Sequence, residues 1–483
     1  MDRRTCLKAL GMSAVSWAVK AQGKPAPGKP NIVFILADDM GYGDPGCYGS
    51  KKIPTPNMDA LAADGMRFTD AHSGSAVCTP TRYGIMTGRY CWRTRLKRSV
   101  LLGYSEPLIE EGRLTVASLL KQNGYHTACV GKWHLGLEWK LRNPPAGTEE
   151  SNIDFPAPVK RGPQSYGFDE FFGISASLDM PPYIYIDGDR VVGEPTGYME
   201  RQGLVRAGVR EPGFRMVDVL PALTRKAVEY IDSRGRDPSR PFFLYFPLTS
   251  PHTPVVPAEE FRGKSGAGDY GDFVVQTDWT LGEIMKALAR NEFAQNTLLI
   301  MTSDNGSTNP VMTQFDHRPN GPWRGRKSDA WDGGHREPFI ARWPAKIKAG
   351  TVNPELICLG DLMATCAEIV GAKLPRNAGE DSYSILPALL GTTGGTPIRE
   401  AVIHHSIEGT FAVRQGPWKL VIGRGSGGWS SKGLPEDPEG QLYNLENDPG
   451  EMDNQYTQRP EMVRRLTQLL DRYKKKGRSS PRR

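Results

Sequence analysis

Short unbroken apolar runs, separated by stretches of helical period, organise the first three hundred residues. "NIVFILA" (31–37), "HTACV" (126–130), "PFFLYFPLT" (241–249) and "NTLLIMTS" (296–303) are continuous rather than alternating. Runs of this kind suit strands buried on both faces, as in a parallel sheet. Helices are predicted between them. "TPNMDALAADG" places Thr55 as N-cap, Pro56 at the first helical position and Gly65 as terminator. "TVASLLKQNG" repeats the plan with Thr115 and Gly124, and "DFVVQTDWTLGEIMKALAR" carries Leu281, Ile284, Met285 and Leu288 at helical spacing. Strands alternating with helices predict an α/β sheet covered by helices on both faces.

Pro- and Gly-rich segments at 140–165 and 179–215 predict long surface loops that shape a substrate entrance. The pattern changes near residue 396. "AVIHHS", "FAVRQGPWKLVIG" and "GQLYNL" are short runs between Gly, Pro and Asp turns, followed by a polar helix. They predict a smaller antiparallel sheet. The expected division is a leader at 1–23, a catalytic domain at 24–395, and a C-terminal α+β subdomain with a basic tail at 396–483.

Composition adds little to this picture. The chain has 483 residues, 38% hydrophobic and 24% charged, as in soluble globular proteins. No apolar run is long enough to span a bilayer. Much of the +7 formal charge sits in Arg3-Arg4 and in "YKKKGRSSPRR". The tail reads as a solvated charge run, and no nucleic-acid-binding motif accompanies it. The start, "MDRRTCLKALGMSAVSWAVKAQG", resembles a bacterial twin-arginine export signal, so the expected location is periplasmic or secreted. That route carries folded protein. The cysteine spacings give neither a zinc pattern nor a disulfide framework. Cys129 is read as core. Cys358 and Cys366 are placed on one helix, too far apart to bridge, and a Cys47–Cys91 bridge stays open.

Each apolar run has chemistry at its downstream end: Asp38-Asp39, Lys132 and His134, His252, and Asp304-Asn305. In open α/β sheets ligands bind outside the carboxyl ends of the strands, so the four runs point to one shared site. A single Asp-Asp pair reads as a turn or helix cap. Two acidic pairs at two strand ends instead favour a hard cation, Ca²⁺ or Mg²⁺, bound by oxygen. His134 and His252 are candidate acid–base groups. Arg82, Lys132 and Lys327 add positive charge, which suits a substrate group with several anionic oxygens, a phosphate or a sulfate. Cys78 is open to four readings: nucleophile, metal ligand, disulfide half or packing.

"CTPTRYGIMTG" (78–88) fits the pattern C-x-P-x-R-x₄-T-G. With "NIVFILADDMGYGD", "GYHTACVGKWHLG", "SPHTPVVP", "TSDNG", "WRGRKSDAWDGGHREPFIARWP" and "GPWKL…QLYNLENDPGE", it covers nearly the whole chain after the leader. In these motifs the sequence resembles the type I sulfatases of the alkaline phosphatase superfamily. The nearest branch contains arylsulfatase A and N-acetylgalactosamine-6-sulfatase. The resemblance implies a large mixed, mostly parallel sheet sandwiched by helices, with a smaller antiparallel C-terminal sheet. It implies sulfate ester hydrolysis on a sulfated carbohydrate or aryl sulfate.

It further implies that Cys78 is oxidised to formylglycine (3-oxoalanine), with Pro80 and Arg82 instructing the modifying machinery. Asp38, Asp39, Asp304 and Asn305, with residue 78, would bind Ca²⁺, Mg²⁺ being the alternative. Arg82 and His134 would hold the formylglycine, and Lys132, His252 and Lys327 the sulfate. Asp332 stands where the family often has Glu, and His335 beside it has two readings, pocket-facing or structural. His317, Arg318 and Trp323 are candidate substrate contacts. Two other readings use the same residues: a phosphomonoester or phosphonate monoester hydrolase, and an inactive binder of sulfated glycans.

Overall fold

The four apolar runs form strands that lie side by side in one sheet. A computed structural model describes residues 28–144, 149–309 and 311–481. In it the strands Thr297–Ser303, Asn31–Asp38, Phe242–Pro251 and His126–Lys132 follow one another in that spatial order, all parallel. The leader expected at 1–23 lies outside the described residues. Along the first strand Ile32, Phe34 and Leu36 enter one core, and Val33, Ile35 and Ala37 the other. This is why the run is continuous: both faces are covered. Helices Cys78–Thr87, Val116–Gln122 and Leu362–Val370 pack on the first face. Helices Pro56–Ala63, Met216–Gly235 and Gly268–Arg290 pack on the second.

Short strands make the sheet mixed and extend it to ten. Glu170–Ile174 adds in parallel beside His126–Lys132. On the other side Phe339–Arg342 and then Met66–Phe68 add antiparallel. The helix boundaries follow the sequence, with one change at a cap. Thr115 and Ser118 form a reciprocal capping box. Thr55, by contrast, accepts the Gly46 N–H at 2.7 Å and leaves its own helix uncapped. Asp278, on a neighbouring helix, takes the Asn57 and Met58 N–H groups at 3.1 and 2.8 Å instead.

From Val402 the chain forms a four-stranded antiparallel sheet in sequence order, Val402–His405, Phe411–Gln415, Trp418–Val421 and Gln441–Asn444. The helix Pro460–Lys476 covers it through Leu466, Leu469, Leu470 and Tyr473. A buried polar network ties this sheet to the larger one. Lys419 Nζ sits 2.7 Å from Asp332 and 2.8 Å from Glu451. The His335 ring stacks on His404 at 3.6 Å, and His72 Nδ1 lies 3.0 Å from His335 Nδ1. Arg414 donates to both oxygens of Asp70, at 2.7 and 2.8 Å.

Two expectations need correction, and one open alternative closes. The basic tail is not simply solvated. Its lysines close the last helical turn, where positive charge complements the carbonyl end. Ser479 and Ser480 are then buried. Ser479 donates its N–H to Asp381 at 2.9 Å and accepts the Tyr383 hydroxyl at 2.7 Å. Asp381 in turn accepts from the Tyr90 N–H and from Arg93. Cys358 is not helical: it ends the short strand Ile357–Cys358, and the turn through Gly360 delays the helix to Leu362. Cys47 and Cys91 are both free thiols, as are the other four described cysteines.

Candidate active site

The parallel strands deliver their chemistry to one end of the sheet. Successive side chains on a strand point to opposite faces. Asp39 escapes that rule by turning at φ 66, and His134 does so at φ 55. Such backbone is costly for a residue with a Cβ and is retained where the surroundings fix it, commonly at functional sites. Cys78 arrives from a different element, as the first residue of the helix Cys78–Thr87. No side chain caps that helix start, so its first N–H groups remain available to an anion. Gly88 ends the helix at φ 63.

Three buried carboxylates meet three buried cations here. Lys132 Nζ donates to Asp38 at 2.7 and 3.0 Å. Arg82 donates through Nε and Nη2 to Asp304 Oδ2 at 3.0 and 2.8 Å, and through Nη1 to the Lys132 carbonyl at 2.9 Å. Lys327 Nζ reaches Asp39 Oδ1 at 2.7 Å. Asn305 Nδ2 donates to Asp39 Oδ1 at 2.7 Å, while Asn305 Oδ1, buried, has no protein partner. Burial works to raise the Asp38 carboxyl, but Lys132, His252, Arg82 and Lys327 outweigh it and hold it well below the usual range. Burial and the neighbouring Asp38 charge push Asp304 up to about 6, against Arg82 and Lys132.

The cluster therefore has oxygen to spare for a further cation. Asp38, Asp39, Asp304 and the orphaned Asn305 oxygen form an all-oxygen donor set, which fits a hard divalent ion. A buried amide oxygen without a partner is otherwise a net cost.

Both histidines are held neutral and oriented. His134 is fully buried, with Nε2 on the Leu101 carbonyl at 2.8 Å and Nδ1 unpartnered. Burial, then Lys132 and Arg82, keep its pKa well below the ordinary value. His252 directs Nδ1 to the Thr253 carbonyl and to Ser177 Oγ, and its Nε2 lies 3.6 Å from Asp39. Burial and Lys327 lower its pKa. Burial raises the Cys78 thiol, against Lys132 and Lys327. As a cysteine it is a neutral and weak nucleophile.

The sequence-predicted substrate residues separate. His317 is buried, with Nε2 on Asp44 at 2.8 Å. Trp323 is half-buried between Tyr42 and Arg336, whose guanidinium lies 3.9 Å from the ring centre. Arg318 is exposed. His335 takes the structural alternative, fully buried between His72, His404 and Lys419. Ser177 joins the site without having been singled out in the sequence. It follows the strand Glu170–Ile174 just as Asp38 and Asp304 follow or end theirs, so the same signal could have found it.

A chain with this mixed sheet and a buried cluster of carboxylates and cations at its strand ends matches a known family over most of its length. The family model described as "Sulfatase" aligns with residues 30–372. The chain belongs to the sulfatase family, and it is a sulfuric ester hydrolase. It is 36% identical to an N-acetylgalactosamine-6-O-sulfatase of Bacteroides thetaiotaomicron, over 92% of this chain and 93% of that protein. It is 34% identical to human arylsulfatase A, over 89% and 84% respectively. A solved structure labelled "6S-sulf", from work on glycosaminoglycan metabolism in B. thetaiotaomicron, superposes with a TM-score of 0.82. It is 34% identical and covers 92% of this chain and 99% of that one.

Proposed function

We propose that this sulfatase removes sulfate from a sulfated saccharide, using residue 78 as formylglycine and a Ca²⁺ ion held by Asp38, Asp39, Asp304 and Asn305. The observation that carries the proposal is the placement of Cys78. A buried thiol, too weakly acidic to serve as a thiolate, starts a helix within the fields of Lys132, Lys327, Asp38 and Asp304. A formylglycine hydrate at residue 78 would supply a geminal diol whose hydroxyl oxygen bonds to sulfur as the sulfur–oxygen bond to the alcohol breaks, and a bound divalent ion would offset charge on the sulfate oxygens.

The chain's own groups do the rest. Lys132 and Lys327 lie against Asp38 and Asp39 and turn their remaining donors to the sulfate oxygens. With its Nδ1–H donated to the Thr253 carbonyl, a neutral His252 has no proton on Nε2, so it would serve the departing alcohol from the imidazolium form, with the added proton on Nε2 beside Asp39. His134 has Nδ1 free to take the proton from the second hydroxyl of residue 78, its Nε2 being tied to Leu101. Arg82 acts as a positioning residue, locking Asp304 to the Lys132 backbone. Sequence similarity to the galactosamine-6-sulfatase supports N-acetylgalactosamine 6-sulfate as the first substrate to test.

The twin-arginine-like leader supports an exported enzyme. No helix among the described residues is long and apolar enough to cross a membrane. Mass analysis of the 78–89 peptide, alongside sulfate release from N-acetylgalactosamine 6-sulfate and from paired nitrophenyl sulfate and phosphate, tests the reading. The active preparation should carry the aldehyde, and sulfate should be preferred. Cys78→Ser should lower kcat at least about a thousandfold, as loss of a nucleophile does. A thiol at residue 78 in the most active protein would overturn the mechanism.

A further inference from the structure

Beside the catalytic cluster lies an open groove of about 580 Å³, lined by Arg98, Ser99, Ile407, Glu408, Thr410 and Trp429. This is within the roughly 300–1,000 Å³ of small-molecule sites. One wall comes from the larger domain and the other from the C-terminal sheet and its loops. Their backbones are laced to the catalytic residues. Ser99 N–H donates to the Ile407 carbonyl at 2.7 Å, and Ile407 N–H to the Ser328 carbonyl at 3.0 Å, next to Lys327. Ser328 N–H donates to the Ala76 carbonyl at 2.7 Å, two residues before Cys78. Two residues past Ser99, the Leu101 carbonyl holds His134.

The groove is built rather than incidental. Ser99 and Ser328 both occupy left-handed backbone, at φ 63 and 86, where a residue with a Cβ is strained. The Trp429 backbone is pinned: its N–H donates to Ser328 Oγ and Asp329 Oδ1, both at 3.0 Å, and its carbonyl accepts from Arg326 at 3.1 Å. Its indole nonetheless stays 48% exposed, an unusual placement for so large a ring. Glu408 is neutralised by Lys432. The Arg98 guanidinium has no ion pair or hydrogen bond among the described residues. The groove thus offers an exposed aromatic ring on a pinned backbone and an unpaired, planar cation.

We propose that this groove is a second saccharide subsite. It takes an anionic sugar, a uronate or a second sulfated residue, linked to the sugar whose sulfate is cleaved. Trp429 stacks on the ring, and Arg98 pairs with the carboxylate or sulfate. The substrate is then an anionic oligosaccharide rather than a single sugar. This rests on the sulfatase reading above and deepens it.

The test compares kcat/KM on N-acetylgalactosamine 6-sulfate alone with the same residue linked to a uronate, to a sulfated hexose, or to a neutral hexose. Wild-type protein should favour one or both anionic saccharides at least tenfold. Arg98→Ala should remove most of that preference while leaving the neutral-linked ratio unmoved. Trp429→Ala should reduce all linked-to-single ratios. Preference for only one anionic partner tells carboxylate from sulfate recognition. The absence of any anionic preference, or Arg98→Ala slowing every substrate equally, overturns the subsite. Calorimetric titration with the desulfated uronate-linked disaccharide reads the groove without turnover. Where turnover favours the sulfated hexose alone, the probe is instead the disaccharide that keeps that hexose sulfate and lacks the cleavable one. With the probe that matches the preferred partner, Arg98→Ala should weaken binding about tenfold, and equal binding overturns the proposal. A formylglycine-bearing protein that binds but releases no sulfate would instead overturn the catalytic reading.

Discussion

Asn305 shows how a single atom can state a requirement. Its Nδ2 is spent on Asp39 and the Gly306 carbonyl, and its Oδ1 is buried with nothing to accept. A cation resolves that cost. Asn305→Ala should therefore raise the Kd for Ca²⁺ about tenfold or more, measured by calorimetric titration into metal-stripped protein. Unchanged affinity would remove Asn305 from the donor set. Asp38, Asp39, Asp304 and His252 were legible in the sequence because each ends or follows an apolar run. His317 and Trp323 were legible only as residue types near Lys327. Their partners, Asp44 and Arg336, are set by packing that no local pattern encodes. His72 and His404 are separated by more than three hundred residues, and no spacing rule joins them to His335.

At the scale of elements, the helix Cys78–Thr87 is the one on which the proposed mechanism rests. Its end is tightly specified. A Cβ on Gly88 would meet Gly379 Cα, Met363 Cβ and Ser382 Cβ, each at 2.9 Å, on backbone already at φ 63. Gly88→Ala should cost about 2–4 kcal/mol, combining left-handed strain with overpacking. Urea unfolding would measure it, and a change below about 0.5 kcal/mol would refute the argument. Long buried strands were readable because both faces are apolar. The antiparallel additions were not, since Met66–Phe68 and Phe339–Arg342 are only three and four residues long. Strands that short carry no period. Their pairing is fixed by neighbours, as the cap on Pro56–Ala63 is fixed by Asp278.

Across the whole molecule, imidazoles buried around the junction between the two sheets work against stability in acid, while the raised carboxyls of Asp278, Asp304 and Glu451 work the other way. Burial, with Arg336 also contributing, lowers His72 to about 4, although Asp70 and Asp332 pull the other way. Burial lowers His405, bonded to the Lys97 carbonyl, to about 4 as well. His335, His404 and Arg414 also face His72, and Lys419 lies behind His335, so a proton on His72 joins existing positive charge. Unfolded histidine titrates near 6.5, so between pH 6.5 and 4 the unfolded chain binds more protons. The stabilisation is complete above pH 6.5 and is lost as pH falls through about 4. At about 1.4 kcal/mol per unit, His72 alone accounts for on the order of 3 kcal/mol. The contribution is read by comparison: on going from pH 7 to 4.5, wild type should lose more stability in urea than His72→Gln does. Equal losses would mean that His72 does not carry this contribution.

Ser479 and Ser480 close over Glu380 and Asp381, and Asp381 secures Tyr90 and Arg93 just beyond the helix that starts at Cys78. Those serines leave the ribosome some four hundred residues after that cysteine. At roughly 5–20 residues per second, this is on the order of 20–80 seconds of synthesis. During that interval Asp381, which bonds Tyr90 and Arg93, lacks its contact from Ser479. Once the tail has docked, residue 78 is only 2% exposed. Any change made to residue 78 by another macromolecule therefore has to precede closure of the fold around it.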